Sequence, residues 1–262
     1  MATVVAMLVV FGLCAAAHAE VVTEAVQYQC GDTPLRGYLA YDNATTDRRP
    51  GVLVFHEWWG LNDYPRERAR QLAEMGYVAF AADMYGEGKV TTDPTEAGKL
   101  AGQFRAAWTT GGRTLMRERA QAALAVLLKQ PLVDPEHIAA IGYCFGGTVA
   151  LELGYSGANV AGVVTFHGGL TAPEAADLPG IKARFLILHG ADDPTIAPEA
   201  ITALQQGLRQ AHADWQMIYY GGAVHGFSNP ANAPATGGAV AYNEPAARRS
   251  WQAMRDFFDE VL

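Results

Sequence analysis

The 262-residue chain reads as an α/β protein: a mostly parallel central sheet of about eight strands with helices on both faces. Three observations predict this. Short, continuous apolar runs such as Val52 to Phe55 are too uniformly hydrophobic for strands with one wet face. Longer stretches with helical spacing alternate with those runs. Polar residues and glycines gather just after the runs, where open parallel sheets place their sites.

The elements follow in order. Val21 to Gln27 and Leu35 to Tyr41 alternate as an opening hairpin at the antiparallel edge. Val52 to His56 is a buried strand, followed by the turn Glu57-Trp58-Trp59-Gly60. Pro65 to Met75 has helical spacing and ends at Gly76, where a left-handed residue is expected. Tyr77 to Ala82 is the next strand. Asp93-Pro94-Thr95-Glu96 supplies an N-cap, a proline at the first helical position and an acid, so a helix begins there. Thr114 to Lys129 is an amphipathic helix stopped by Pro131. Ile138 to Ile141 is a strand, and Thr148 to Leu153 reads as helix. Leu186 to Leu188 and Trp215 to Tyr220 are strands; Pro198 to Ala211 and Pro245 to Leu262 are helices. Gly226 to Tyr242, rich in Ala, Gly, Asn and Pro, is a loop that shapes access to whatever lies beside it.

Half of the residues are hydrophobic and no linker divides the chain, so residues 20–262 are expected to form one domain. Residues 1–19 read as a secretory signal peptide. Met1 to Ala19 holds no Lys, Arg, Asp or Glu, Val4 to Leu13 is an apolar core, and Ala17-His18-Ala19 is a small-x-small cleavage site before Glu20. The segment before the core carries no basic residue, which leaves an uncleaved anchor or a misassigned start codon as competing readings. The favoured reading places the mature chain in the periplasm or outside the cell, with no stable membrane association after cleavage. The net charge is −8 and no basic run occurs, which argues against a nucleic-acid partner. Cleavage would leave Cys30 and Cys144, expected as free thiols.

The stretch Gly142-Tyr143-Cys144-Phe145-Gly146-Gly147 sits between a strand and a helix and has the form of a nucleophile elbow, with Cys where Ser is usual. Glycines permit the sharp turn, and the helix N-terminus favours a thiolate and a developing oxyanion. Downstream, His189-Gly190-Ala191-Asp192-Asp193-Pro194 is an acidic turn after a strand, and Val224-His225-Gly226-Phe227 places a histidine after another. The order nucleophile, acid, histidine is that of the α/β-hydrolase triad. Asp193 is the favoured acid; Asp192 is the alternative, more in keeping with turn chemistry. Asp83 reads as a turn stabiliser. His56, His167 and His189 end strands without metal-ligand spacing, so no metal is expected. His137 and His212 read as surface residues.

These motifs together resemble the dienelactone hydrolase family, of the α/β-hydrolase fold, from about Val21 to the C-terminus. His56-Glu57-Trp58-Trp59-Gly60 resembles the family's Glu-bearing turn, and the three motifs above resemble its nucleophile, acid and histidine segments. The resemblance implies that Cys144 attacks an ester or lactone carbonyl, that His225 transfers the proton and that Asp193 orients the imidazole. It also implies an oxyanion hole at the backbone amides of Trp58 and Phe145, and Glu57 as a switch carboxylate holding the resting thiol. No cofactor is implied. The chain departs from the pattern at Asn229, where dienelactone-cleaving members have an arginine for the substrate carboxylate; a second arginine position falls near Lys99, Leu100 or Arg105. Trp59, Tyr85, Phe227 and Asn229 are the expected pocket residues, with Trp59 and Tyr85 equally readable as core. The expected function is cysteine-dependent hydrolysis of small esters or lactones. The rivals are a thioesterase or acyltransferase on the same triad, and a non-catalytic binding protein on the same scaffold.

Overall fold

The structure, a computed structural model, describes residues 20–106, 112–232 and 238–262. Its eight described strands form one sheet in the order β1-β2-β4-β3-β5-β6-β7-β8. β1 (Val21–Cys30) and β2 (Thr33–Asp42) are the antiparallel edge hairpin, and β2 also runs antiparallel to β4 (Val78–Ala82). All other neighbours are parallel: β3 (Arg49–Phe55), β5 (Val133–Tyr143), β6 (Gly162–Phe166), β7 (Arg184–Gly190) and β8 (Trp215–Tyr220). The hairpin is longer than its apolar alternation indicates, because pairing continues to Cys30 opposite Thr33. Gly31, with φ of +56°, makes the tight turn that permits it.

Alternation along the central strands feeds two cores. Leu53 and Phe55 face one layer and pack with helices α2 (Pro94–Ala106), α3 (Gly112–Leu128), α4 (Phe145–Tyr155) and α5 (Pro198–Gln210). Val52 and Val54 face the other and pack with α1 (Asp63–Glu74) and α6 (Glu244–Val261). Both faces are covered, which explains the uniform hydrophobicity of these runs. The helix ends follow local chemistry. Asn62 caps α1 by accepting from the Tyr64 amide, Gly76 follows it at φ +93°, and Asp93 Oδ1 accepts from the Thr95 amide at 2.9 Å before α2.

The link from β5 to α4 positions the site. Cys144 sits between them at φ +52° and ψ −115°, a conformation that side chains rarely adopt. The turn closes because two glycines let backbone meet backbone. A Cβ on Gly142 would lie 1.9 Å from the Gly146 carbonyl oxygen, and one on Gly146 would lie 2.2 Å from that of Phe55. The elbow is therefore pressed against the end of β3. Among the described residues no helix is long and apolar enough to cross a membrane. The proposed signal segment lies outside the described residues.

Candidate active site

Four strand ends on one side of the sheet supply the side chains. Glu57 and Trp58 follow β3, Cys144 follows β5, Asp193 follows β7 and His225 follows β8. Cys144 is a half-buried free thiol whose amide donates to the Phe166 carbonyl at 3.1 Å. Asp193 is buried. Its Oδ2 lies 2.9 Å from His225 Nδ1, and its Oδ1 accepts from the Thr195 amide at 2.8 Å and hydroxyl at 2.6 Å. Burial opposes the charge on Asp193, but the hydrogen bonds from His225 and Thr195 prevail and hold its carboxyl below the usual range. Asp192 is exposed and accepts from the Gly222 amide at 2.9 Å, tying the β7 turn to the one after β8. Of the two candidate acids, Asp193 is the one that faces the imidazole.

His225 lies between Asp193 and the Cys144 sulfur. Burial lowers its basicity, but hydrogen bonds to Asp193 and Cys144, with the charges of both, raise its pKa to about 10. The imidazole is thus cationic at neutral pH in the resting site. Its Nδ1 proton is directed at Asp193, so Nε2 is the nitrogen left for the sulfur. Thr195 was not singled out from the sequence. The Asp-x-Thr spacing was its only signal, since a threonine two residues after an acid commonly bonds back to it.

Glu57 is buried and lines the same cavity as Cys144 and His225. Its hydrogen bond runs to Asn229, whose Nδ2 lies 2.6 Å from Glu57 Oε2. Asn229 Oδ1 accepts from the Ala231 amide, which fixes the side-chain orientation. Burial raises the Glu57 pKa to about 7, against the Asn229 hydrogen bond and the charges of His225 and Arg68. The amides of Trp58 and Phe145 donate to no other protein group among the described residues.

The cavity holds about 780 Å³. Trp58, Trp59, Met116, Phe145, Ile196 and Val240 supply its apolar wall, and Thr148, Thr171 and Thr195 its neutral polar groups. No Lys or Arg is among the described lining residues. Trp59 lies where expected, but three expected pocket residues do not line the cavity and are corrected here. Tyr85 is buried beneath the Glu57–Trp58 turn, where its hydroxyl donates to the Trp58 carbonyl at 2.9 Å. Phe227 is buried edge-on against His167, 5.1 Å between ring centroids. Asn229 is buried behind Glu57. Each belongs to the layer supporting the site, because tight turns send successive side chains to opposite sides. Lys99 is exposed on α2 and is not a described lining residue; the side chain of Arg105 lies outside the described residues. Met116 went unnoticed because its position on α3 reads as core.

Behind His225 sits His167, fully buried, with its Nε2 2.7 Å from Ser228 Oγ. Burial holds it well below the usual histidine range, so it is neutral. Asp83 Oδ1 and Oδ2 accept four backbone amides, from Arg36, Tyr85, Gly86 and Gly88, as its reading as a turn stabiliser requires. After β8, the described residues on either side of 233–237 return to the site. Val240 bridges to His225, and Asn232 Nδ2 donates to the Gly226 carbonyl at 2.8 Å.

The histidine's environment generates a direct test. In an NMR titration the His225 imidazole should titrate far above an ordinary histidine, and Asp193→Asn should lower its midpoint by about 1–3 pH units. Asp192→Asn should leave the midpoint unchanged. The reverse ranking would show that the acid is Asp192.

Comparison with known proteins agrees with this geometry. The sequence pattern of the dienelactone hydrolase family matches residues 35–262. A solved structure called "m3DLH" superposes with a TM-score of 0.87 at 43% identity, covering 92% of this chain and 99% of that one. A dienelactone hydrolase-like promiscuous phosphotriesterase from metagenomic libraries superposes with a TM-score of 0.85 at 41% identity, covering 92% of this chain and 98% of that one. A Synechocystis sp. protein named "Putative carboxymethylenebutenolidase" is 30% identical over 243 residues, 87% of this chain and 92% of that protein. From the second strand of the hairpin to the last helix, this chain belongs to the dienelactone hydrolase family and has its α/β-hydrolase fold.

Proposed function

We propose that the chain hydrolyses uncharged carboxylic esters or lactones through an acyl-enzyme on Cys144. The observation that carries this reading is the relay from Asp193 through His225 to Cys144, opening on a cavity with no Lys or Arg among its described lining residues. The sulfur attacks the carbonyl carbon, and an S–C bond forms as the carbonyl oxygen takes up negative charge at the Trp58 and Phe145 amides. His225 then protonates the leaving alkoxide as the C–O bond breaks. With the sulfur acylated, the imidazole loses one of the interactions that keep it protonated, so its basicity falls. It can then take a proton from water, whose oxygen attacks the thioester. The C–S bond then breaks, the acid departs, and the released sulfur again lies beside a protonated His225.

A carboxylate-bearing substrate would have to shed its hydration shell in this cavity with no Lys or Arg among the described lining residues to pair with, and the imidazolium of His225 is already held by Asp193 and the sulfur. One missing charge-assisted hydrogen bond is worth about 1.5–3 kcal/mol, or roughly 10–100-fold in kcat/KM. A short neutral aryl ester should therefore exceed dienelactone by at least that lower factor, with Cys144→Ala abolishing both. Preference for dienelactone would overturn the neutral-substrate reading. Turnover that survives Cys144→Ala would overturn the cysteine mechanism. A thioester with the same acyl group and a neutral dialkyl aryl phosphate belong in the same panel. The first separates an esterase from a thioesterase. The second is included because a 41% identical neighbour is described as a promiscuous phosphotriesterase and no Lys or Arg is among the described lining residues.

Glu57 is read as a brake on the resting sulfur. Its negative charge disfavours a thiolate in the same cavity, and its hydrogen bond to Asn229 holds it there. With a pKa of about 7, Glu57 is mostly neutral at pH 5.5 and mostly charged at pH 8.5. Glu57→Gln should then alkylate with iodoacetamide several-fold faster than the wild type at pH 8.5, and at an equal rate at pH 5.5. An equal rate at both pH values would remove the brake.

Export is the remaining part of the reading. Cleavage after Ala19 would leave β1 whole, with Glu20 still paired to Asn43 through its amide and carbonyl. Mass spectrometry of protein recovered from a bacterial periplasm should find a chain beginning at Glu20. A full-length chain in the membrane fraction would favour an anchor.

A further inference from the structure

We infer that His56 is a positioning residue of the reaction: its neutral imidazole sets the Glu57–Trp58 peptide so that the Trp58 amide points at the substrate oxyanion. The inference rests on the hydrolase reading above and adds to it a residue that the mechanism does not otherwise use.

His56 follows β3 and is fully buried. Both of its ring nitrogens are engaged. The Met84 amide donates to Nε2 at 3.2 Å, so Nε2 carries no proton. The proton therefore sits on Nδ1, which donates to the Glu57 carbonyl at 2.5 Å. Burial lowers the basicity of the ring and keeps it in this neutral tautomer, despite the Glu57 carbonyl and the Asp83 charge. A charged ring could not accept from Met84.

The Glu57 carbonyl and the Trp58 N–H belong to one peptide. No described peptide bond is cis, so in this planar unit the two groups point in opposite directions. Fixing the carbonyl toward His56 turns the N–H to the other side. Glu57 and Trp58 both line the cavity, and the Trp58 amide has no other protein partner among the described residues. Two further bonds brace the same turn. The Gly60 amide donates to the Glu57 carbonyl at 3.3 Å, and the Tyr85 hydroxyl donates to the Trp58 carbonyl at 2.9 Å.

The support is itself anchored. Met84 and Tyr85 lie on the turn after β4 that Asp83 organises, and Arg119 donates to the Met84 carbonyl. The His56 ring also stacks on Phe145, 5.9 Å between centroids, and meets Tyr85 edge-on at 4.8 Å. Phe145 supplies the second proposed oxyanion amide. One imidazole thus touches the peptide that presents one donor and the side chain of the residue that presents the other. A purely packing role would need an apolar ring of this size, not two directed hydrogen bonds.

The test separates oxyanion chemistry from nucleophile chemistry. Alkylation by iodoacetamide occurs at an sp³ carbon and forms no oxyanion, whereas ester acylation does. His56→Leu should lower kcat for a neutral aryl ester by about 10–100-fold, part of the loss seen when an oxyanion donor is removed outright. KM and the Cys144 alkylation rate should stay within about threefold of wild type. His56→Asn, whose amide N–H can reach the Nδ1 position, should recover much of the lost kcat. If His56→Leu does not fold, His56→Asn and Tyr85→Phe carry the test. Tyr85→Phe removes the hydrogen bond that braces the Trp58 carbonyl and should show a smaller kcat loss with the same unchanged alkylation. Unchanged kcat in folded His56→Leu would overturn the proposal, as would unchanged kcat in Tyr85→Phe or alkylation falling in step with kcat. Failure of the hydrolase reading would appear separately, as ester turnover that persists in Cys144→Ala.

Discussion

The carbonyl oxygens of Phe55 and His56 lie so close to Gly146 that a single added Cβ would meet them at 2.2 and 2.6 Å. This backbone-to-backbone approach joins the end of β3 to the first turn of α4. It brings the nucleophile elbow and the Glu57–Trp58 turn into one rigid unit, although 88 positions separate Cys144 from His56 in the chain. The obstacles are main-chain atoms, which no rotamer change can move. The strained φ of Cys144 follows from the same constraint, since the chain must reverse within one residue between the strand and the helix. Phe145 and Trp58 then line one cavity because their parent segments are locked together.

Electrostatics divides the site into two regions. On one side, Asp193 and the sulfur hold a proton on His225, and Thr195 satisfies the second oxygen of Asp193 so that the first stays on the imidazole. On the other, the walls that would meet substrate are aromatic, aliphatic, hydroxyl-bearing or, at Asn232, an amide. Glu57 stands at the boundary, with its pKa raised by burial and its position set by Asn229. The residue that replaces the expected arginine therefore binds the enzyme's own carboxylate. In the proposed function, substrate charge is decided instead by the lining as a whole.

Much of the fold was legible because it rests on local signals. Buried parallel strands wrote continuous apolar runs, Asp93 marked a helix start, and Gly76 marked an end, whereas the Asn62 cap went unread and the first helix starts before Pro65. The order Cys144, Asp193, His225 was readable for the same reason: each lies one turn beyond a recognisable strand. The pocket was not readable. Whether Tyr85 or Phe227 faces a cavity or its backing depends on which way a loop turns, and nothing in their neighbours encodes that. Met116 and Thr171 come from a helix and a loop that meet the site only through tertiary packing. His56 looked like one of several polar strand ends, because its partner Met84 is 28 residues away.

The central claim is a covalent intermediate on Cys144, and mass spectrometry tests it most directly. Protein mixed with a slowly hydrolysed neutral ester and quenched in acid should gain the mass of one acyl group, and peptide mapping should find it on Cys144. The adduct should decay at the rate of product release and be missing in Cys144→Ala. An acyl group on another residue, or steady turnover without an adduct when the second step is rate-limiting, would contradict the account.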